Sequence, residues 1–143
     1  LGDPIFGKLD ARLCTAIMTI GAIKGVEVGG GFALCALRGS EANDSMKDGE
    51  FVSNYSGGIL GGISTGEPLV MRVAVKPTAS IAQKQMTYDE HDKNVEIEVL
   101  GRHDPCIVPR AVPVVEAMAA LVILDAWEVQ SRLNPEWAAA NPL

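Results

Sequence analysis

The stretch KLDARLCTAIMTIGAIKGVEVGGGF, Lys8 to Phe32, changes its period halfway along, and that change decides the fold class. Leu9, Leu13, Ile17 and Ile20, with Ala16 beside them, recur at the spacing that lines one face of an α-helix. Asp10 favours a helix start and Gly21 supplies a stop, so the spacing predicts a helix over 9–20. Beyond Gly21, the β-branched residues and broken alternation of IKGVEVGGGFALCALRGS predict two short strands, joined or bulged at Gly29–Gly31.

Outward from there, SEANDSMKDGE (40–50) holds few apolar residues and many turn formers, which predicts a mobile loop over about 39–57. SGGILGGISTG follows, its glycines free to take positive φ and to let another group approach closely. EPLVMRVAVKP then alternates cleanly, with Leu69, Met71, Val73 and Val75 on one face of a strand that ends at Lys76. QKQMTYDEHDKN reads as a polar link to VEIEV, a half-exposed strand over 95–99. The last long element is a helix from Pro113 to about Leu133, apolar on nearly all sides and therefore expected to be buried. The end, NPEWAAANPL (134–143), reads as a fraying tail. Helices and strands are mixed without strict alternation, an α+β pattern in one unit spanning 1–143.

A chain of 143 residues, 48 % of them hydrophobic, suffices for one domain with a real core. Its net charge of -6 and lack of any Lys/Arg cluster argue against a nucleic-acid partner. Cys14, Cys35 and Cys106, with only His91 and His103 to join them, make no zinc pattern and fit a reducing, cytoplasmic setting. The apolar window 111–124 is broken by Pro113 and Glu116 and is too short to cross a bilayer, so no membrane role is expected. No signal peptide is visible, and a start without methionine suggests a fragment.

GRHDPC, Gly101 to Cys106, sets a cation, an imidazole and a carboxylate side by side. Pro105 disfavours the α region for Asp104, so the tripeptide is read as extended, with Arg102 and Asp104 on one side and His103 on the other. Such a pair can hold an anionic ligand and accept a proton, or form a structural ion pair. Lys76-Pro77-Thr78-Ala79-Ser80 is the second candidate: a lysine, hydroxyls and free amides can bind phosphate or a ring, or make an ordinary turn. Arg110 could face an anionic site from the loop before the helix or solvate the helix entrance, and it ranks below Arg102. Glu116 and Asp125, in the apolar helix, are expected to pair with basic groups from elsewhere.

Taken together, KLDARLCTAIMTIGAIKGVEVGGGF, RGSEAND, SNYSGGILGGISTGEP, VAVKPTASI and GRHDPCIVPRAVPVVEAMAALV resemble the C-terminal part of chorismate synthases, in the family's order and over nearly the whole chain. The resemblance implies an α+β sandwich, with helices packed between antiparallel sheets, assembled as a homotetramer. It implies elimination of phosphate from 5-enolpyruvylshikimate 3-phosphate to give chorismate, with reduced FMN and no net redox change. NADPH at the enzyme itself, or a separate reductase, would reduce the flavin. Carried over residue by residue, Gly21 and Ala22 would give backbone contacts to FMN, Gly61 would allow its close approach, and Lys76, Pro77, Thr78, Ala79 and Ser80 would form the flavin-binding turn. Arg102 would lie against cofactor and substrate, and Asp104 would be the base. The sequence departs from the family at Gly21, where asparagine or proline is usual, and at GGGF (29–32), where Gly-Asp-Gly-Phe is usual. It also lacks the family's N-terminal histidines and arginines, so this chain alone is expected not to catalyse. A stand-alone flavin- or phosphate-binding or assembly module is the alternative.

Overall fold

The computed structural model describes residues 1–142. Helix α1 runs Leu9–Met18, and its apolar stripe is the core of the molecule: Leu9, Leu13 and Ile17 are fully buried. On one side α1 meets strand β1 (Ile23–Val28), which pairs antiparallel with a strand over Met71–Val75; on the other it meets the long C-terminal helix. Ile59 and Ala126 close the same cluster, with Val28, Met71, Val122 and Ile123 packed around it.

The second strand expected after Gly31 is a 3-10 helix, Gly31–Ala36. Two glycines enforce the turn: Gly29 and Gly31 have φ of 59° and 52°, and a Cβ at Gly29 would lie 2.1 Å from the Tyr55 carbonyl oxygen. Glu27 then anchors the turn, accepting from the Phe32 amide at 3.2 Å and from Arg72 across the strand pair at 2.8 Å.

Residues 40–66 carry two small hairpins that the sequence pattern did not reveal. Strands β2 (Met46–Lys47) and β3 (Glu50–Phe51) form the first, and β4 (Ile59–Leu60) and β5 (Ile63–Ser64) the second. The Asp44 carboxylate organises the loop behind them, accepting from the Ser53 hydroxyl and from the amides of Tyr55 and Ser56. The β4–β5 hairpin is seated against the start of α1, where the Leu9 amide donates to the Gly62 carbonyl at 2.9 Å.

Strand β6, Met71–Val75, shows the expected alternation of half-buried and exposed residues. The supposed polar link contains β7 (Gln85–Tyr88), paired antiparallel with β8 (Asn94–Ile97), so the strand read at 95–99 lies in a hairpin of its own. The long helix α2 begins at Val108, five residues before the expected start, and ends at Leu133. Pro109 occupies its first turn and Pro113 lies inside, which forfeits the bond from residue 113 to the carbonyl of 109 without breaking the helix.

The expectation that α2 is buried is also corrected. Ala126 is its buried residue, whereas Val112, Val114, Leu121, Leu124, Val129 and Leu133 are exposed, because these 142 residues supply only one face for it to pack on. Asp125 pairs with Arg12 of α1, as expected of a carboxylate on this helix, but Glu116 is solvent-exposed with no ion pair among the described residues. A short helix α3, Pro135–Ala140, follows; its N-cap Asn134 accepts from the Trp137 amide at 3.0 Å, and Trp127 donates to the Asn141 carbonyl. No helix among the described residues is long and apolar enough to cross a membrane.

Candidate functional site

The antiparallel pairing of β1 with β6 brings two distant lysines to one end of the molecule. Ile23 opposes Val75 and Gly25 opposes Ala74, so Lys24 is the extra residue of a bulge, a device that re-aims a side chain. The Lys76 amide donates to the Ala22 carbonyl at 2.7 Å, tying the chain after β6 to the turn after α1. Ala22 adopts φ of 69°, an unusual conformation for a residue with a Cβ, and this bend points its carbonyl at Lys76.

Two adjoining grooves result. The first, about 370 Å³, is lined by Ala22, Lys24, Lys76, Pro77, Thr78, Ala79 and Ile107. The second, about 280 Å³, is lined by Thr78, Ser80, Gly101, His103, Asp104 and Pro105, among others. Thr78 borders both, and its Oγ1 is buried without a hydrogen-bond partner. A buried hydroxyl left unpaired carries a desolvation cost of about 1–3 kcal/mol, which a ligand with a hydrogen-bonding group would relieve.

Residues 101–107 form neither helix nor strand, as Pro105 dictates. The Asp104 side chain is one-quarter exposed and stands between two guanidinium groups. Arg110 Nη1 lies 2.8 Å from Oδ2, whereas Arg102 Nη2 is 3.9 Å from Oδ1. The order expected from the sequence is therefore reversed: Arg110 makes the direct contact with Asp104. His103 turns back on its own segment, its Nε2 3.2 Å from the Val99 carbonyl, which fixes that nitrogen as the donor.

Of the residues singled out from the sequence, Ala22, Lys76, Pro77, Thr78 and Ala79 share the first groove, and Thr78, Ser80 and Asp104 share the second. Arg102 is exposed beside Asp104. Gly21 is adjacent in the chain but lines neither groove. Gly61 sits at the tip of the β4–β5 hairpin with φ of 60° and open space where a Cβ would be; it also lines neither groove. Lys24 and Ile107 were missed, and only the β1–β6 register, which no local pattern encodes, would have revealed Lys24.

The arrangement can hold an anion between Lys24 and Lys76, donate a hydrogen bond from the Thr78 hydroxyl, and present a carboxylate one groove away. Two lysines and an unpaired hydroxyl lining one groove suit a ligand that combines an anionic group with hydrogen-bond acceptors, as a flavin mononucleotide would. Among the described residues no cluster of His, Cys, Asp or Glu is placed to hold a metal ion.

The family model for chorismate synthase matches residues 1–127. A chorismate synthase of Archaeoglobus fulgidus is 60 % identical over 135 residues, covering 91 % of this chain and 38 % of that protein. One from Porphyromonas gingivalis is 56 % identical over 131 residues, covering 88 % of this chain and 36 % of that protein. A crystal structure of chorismate synthase superposes with a TM-score of 0.71 at 34 % identity, over 91 % of this chain and 34 % of that one. The chain thus spans little more than a third of the length of the relatives it matches.

Proposed function

The chain belongs to the chorismate synthase family, and on that premise we propose that it contributes the C-terminal part of an enzyme that eliminates phosphate from 5-enolpyruvylshikimate 3-phosphate to give chorismate. The observation that carries the reading is the pair of grooves joined at Thr78, a residue with an unpaired buried hydroxyl that lines one groove with Lys24 and Lys76 and the other with Asp104. Lys24, Lys76, Thr78 and the free amides of 79 and 80 would hold FMN, and Ala22 would close that groove from below.

Reduced FMN, when bound, would supply electron density that assists phosphate departure and a basic nitrogen near the substrate's ring proton. Asp104 would accept a proton at Oδ1, the oxygen that Arg110 leaves open. Arg102, exposed and without a close partner, would present its guanidinium fork to the substrate's phosphate or carboxylates. One C–H bond and one C–O bond break, and the products are chorismate, phosphate and a proton, with no net oxidation.

A homotetramer is part of the proposal; the exposed apolar side chains of α2 need a cover that the rest of such a protein or a neighbouring subunit would supply. A cytoplasmic setting is supported by three cysteines that are all free, and NADPH is a candidate source of the flavin's electrons. The test is Asp104→Ala in the full-length protein that carries this segment. Turnover is expected to vanish with FMN affinity and thermal melting unchanged; near-normal turnover would refute the assignment.

A further inference from the structure

We infer that Arg110 is the positioning residue for Asp104, and that this frees Arg102 to serve the substrate; the inference rests on the proposed function. The distances separate the two cations. At 2.8 Å, Arg110 Nη1 and Asp104 Oδ2 form a charge-assisted hydrogen bond, whereas 3.9 Å from Arg102 to Oδ1 lies outside hydrogen-bond range.

The two arginines also differ in how firmly their backbones are held. Arg110 stands in the first turn of α2, where its amide and that of Ala111 both donate to the Ile107 carbonyl at 3.0 Å, and where Pro109 fixes φ one residue earlier. Arg102 follows Gly101, at φ of 135°, in a segment with no regular structure; both side chains are largely exposed, so it is the backbone and the carboxylate contact that separate the two. A guanidinium bonded to the carboxylate from a helix-borne backbone is the better-held of the two, and an arginine on an irregular segment is the freer arm.

The pairing also divides the carboxylate. Oδ2 is engaged by Arg110, so Oδ1 is the oxygen left to exchange a proton with a molecule in the groove of Thr78, Ser80 and His103. His103 does not compete for it, since its ring donates to the Val99 carbonyl. Arg110 therefore acts through Asp104, and it should influence the chemical step without contributing to ligand affinity.

Steady-state kinetics of the full-length protein with 5-enolpyruvylshikimate 3-phosphate and reduced FMN test this, using Arg110→Met, Arg110→Lys, Arg102→Met, Asp104→Asn and the double variant Asp104→Asn/Arg110→Met. Arg110→Met should lower kcat roughly ten- to a hundredfold with KM and FMN Kd changed less than about threefold, the size expected when a catalytic group is misplaced by about 1 Å. Arg110→Lys should recover much of the loss, and Arg110→Met should add nothing in the Asp104→Asn background. Arg102→Met should act mainly on KM. Unchanged kcat in Arg110→Met, or a loss expressed in KM, overturns the inference. Should Arg110→Met prove unstable in thermal melts, Arg110→Lys decides: kcat near the parent's supports positioning, and a raised KM refutes it. If Asp104→Asn itself retains full kcat, the site assignment fails instead, so the two failures are distinguishable.

Discussion

Thr78→Val is the most informative single change, because it should move stability and affinity in opposite directions. Valine keeps the shape of threonine and removes the hydroxyl. In the ligand-free protein that hydroxyl is buried with no partner, so its removal should relieve a desolvation cost of about 1–2 kcal/mol. For a protein of the length of the relatives this is a rise of roughly 1–3 °C in melting temperature. With FMN bound, the same hydroxyl would donate to an oxygen or nitrogen of the ligand, and its loss would remove a hydrogen bond worth about 1.5–3 kcal/mol if the acceptor is charged. That difference is roughly a ten- to hundredfold increase in Kd. Thermal melting of the ligand-free protein and fluorescence titration with FMN read the two effects separately. A variant that melts lower and binds FMN as well as its parent would show that the hydroxyl finds a protein partner, and the ligand-fit argument would be refuted.

Two further predictions concern neighbouring features. Burial works against the Asp44 carboxylate, but hydrogen bonds from Ser56, Tyr55 and Ser53 outweigh it and hold the pKa down at about 2. A carboxyl lowered in the folded state contributes stability above its unfolded pKa, and that contribution is lost as pH falls from about 4 through about 2. After allowance for solvent screening the loss should be about 1–2 kcal/mol; urea unfolding at pH 5 and pH 2.5 should show it in the parent and a smaller one in Asp44→Asn. Equal slopes in both would mean that Asp44 does not staple the loop. Lys24→Met should raise the FMN Kd about fivefold, the size of one solvent-exposed charge contact, and should weaken its salt dependence. An unchanged Kd would remove Lys24 from the site.

The α+β class and four main elements are legible in the residues because each carries its own period: 3.6 in Leu9, Leu13 and Ile17, and 2 in Met71, Val73 and Val75. The hairpins are not. β2 to β5 are two residues long, too short for a period, and β7 is exposed throughout, so its apolar Met86 alternates with nothing buried. The region after Gly31 misled because Phe, Ala, Leu and Cys suit a strand as well as a 3-10 turn, and positive φ at Gly29 and Gly31 decided between them. Pro113 misled in another way: it is admissible at a helix start, yet it sits inside α2 because only one bond is given up there.

For the site, sequence alone placed Arg102 and Asp104 on one side of the chain, and their side chains do lie within 3.9 Å. It ranks Arg110 below Arg102, because the contact with Asp104 depends on where α2 begins, and α2 begins five residues before the start that the pattern predicts. Nor could it bring Thr78 beside Asp104, since 25 residues, among them the whole β7–β8 hairpin, lie between them along the chain. Local chemistry is written in short motifs, whereas convergence of motifs depends on pairings that only the folded chain reveals.

On the proposed reading, the turn after β6 and the Asp104 carboxylate serve one ligand-binding site. A crystal structure of the full-length protein with oxidised FMN and 5-enolpyruvylshikimate 3-phosphate tests it most directly. Thr78 Oγ1 should lie within about 3.2 Å of a flavin heteroatom, with Asp104 Oδ1 facing the bound pair while Oδ2 stays on Arg110. Flavin bound away from residues 76–80, or Asp104 turned from the ligands, would contradict it.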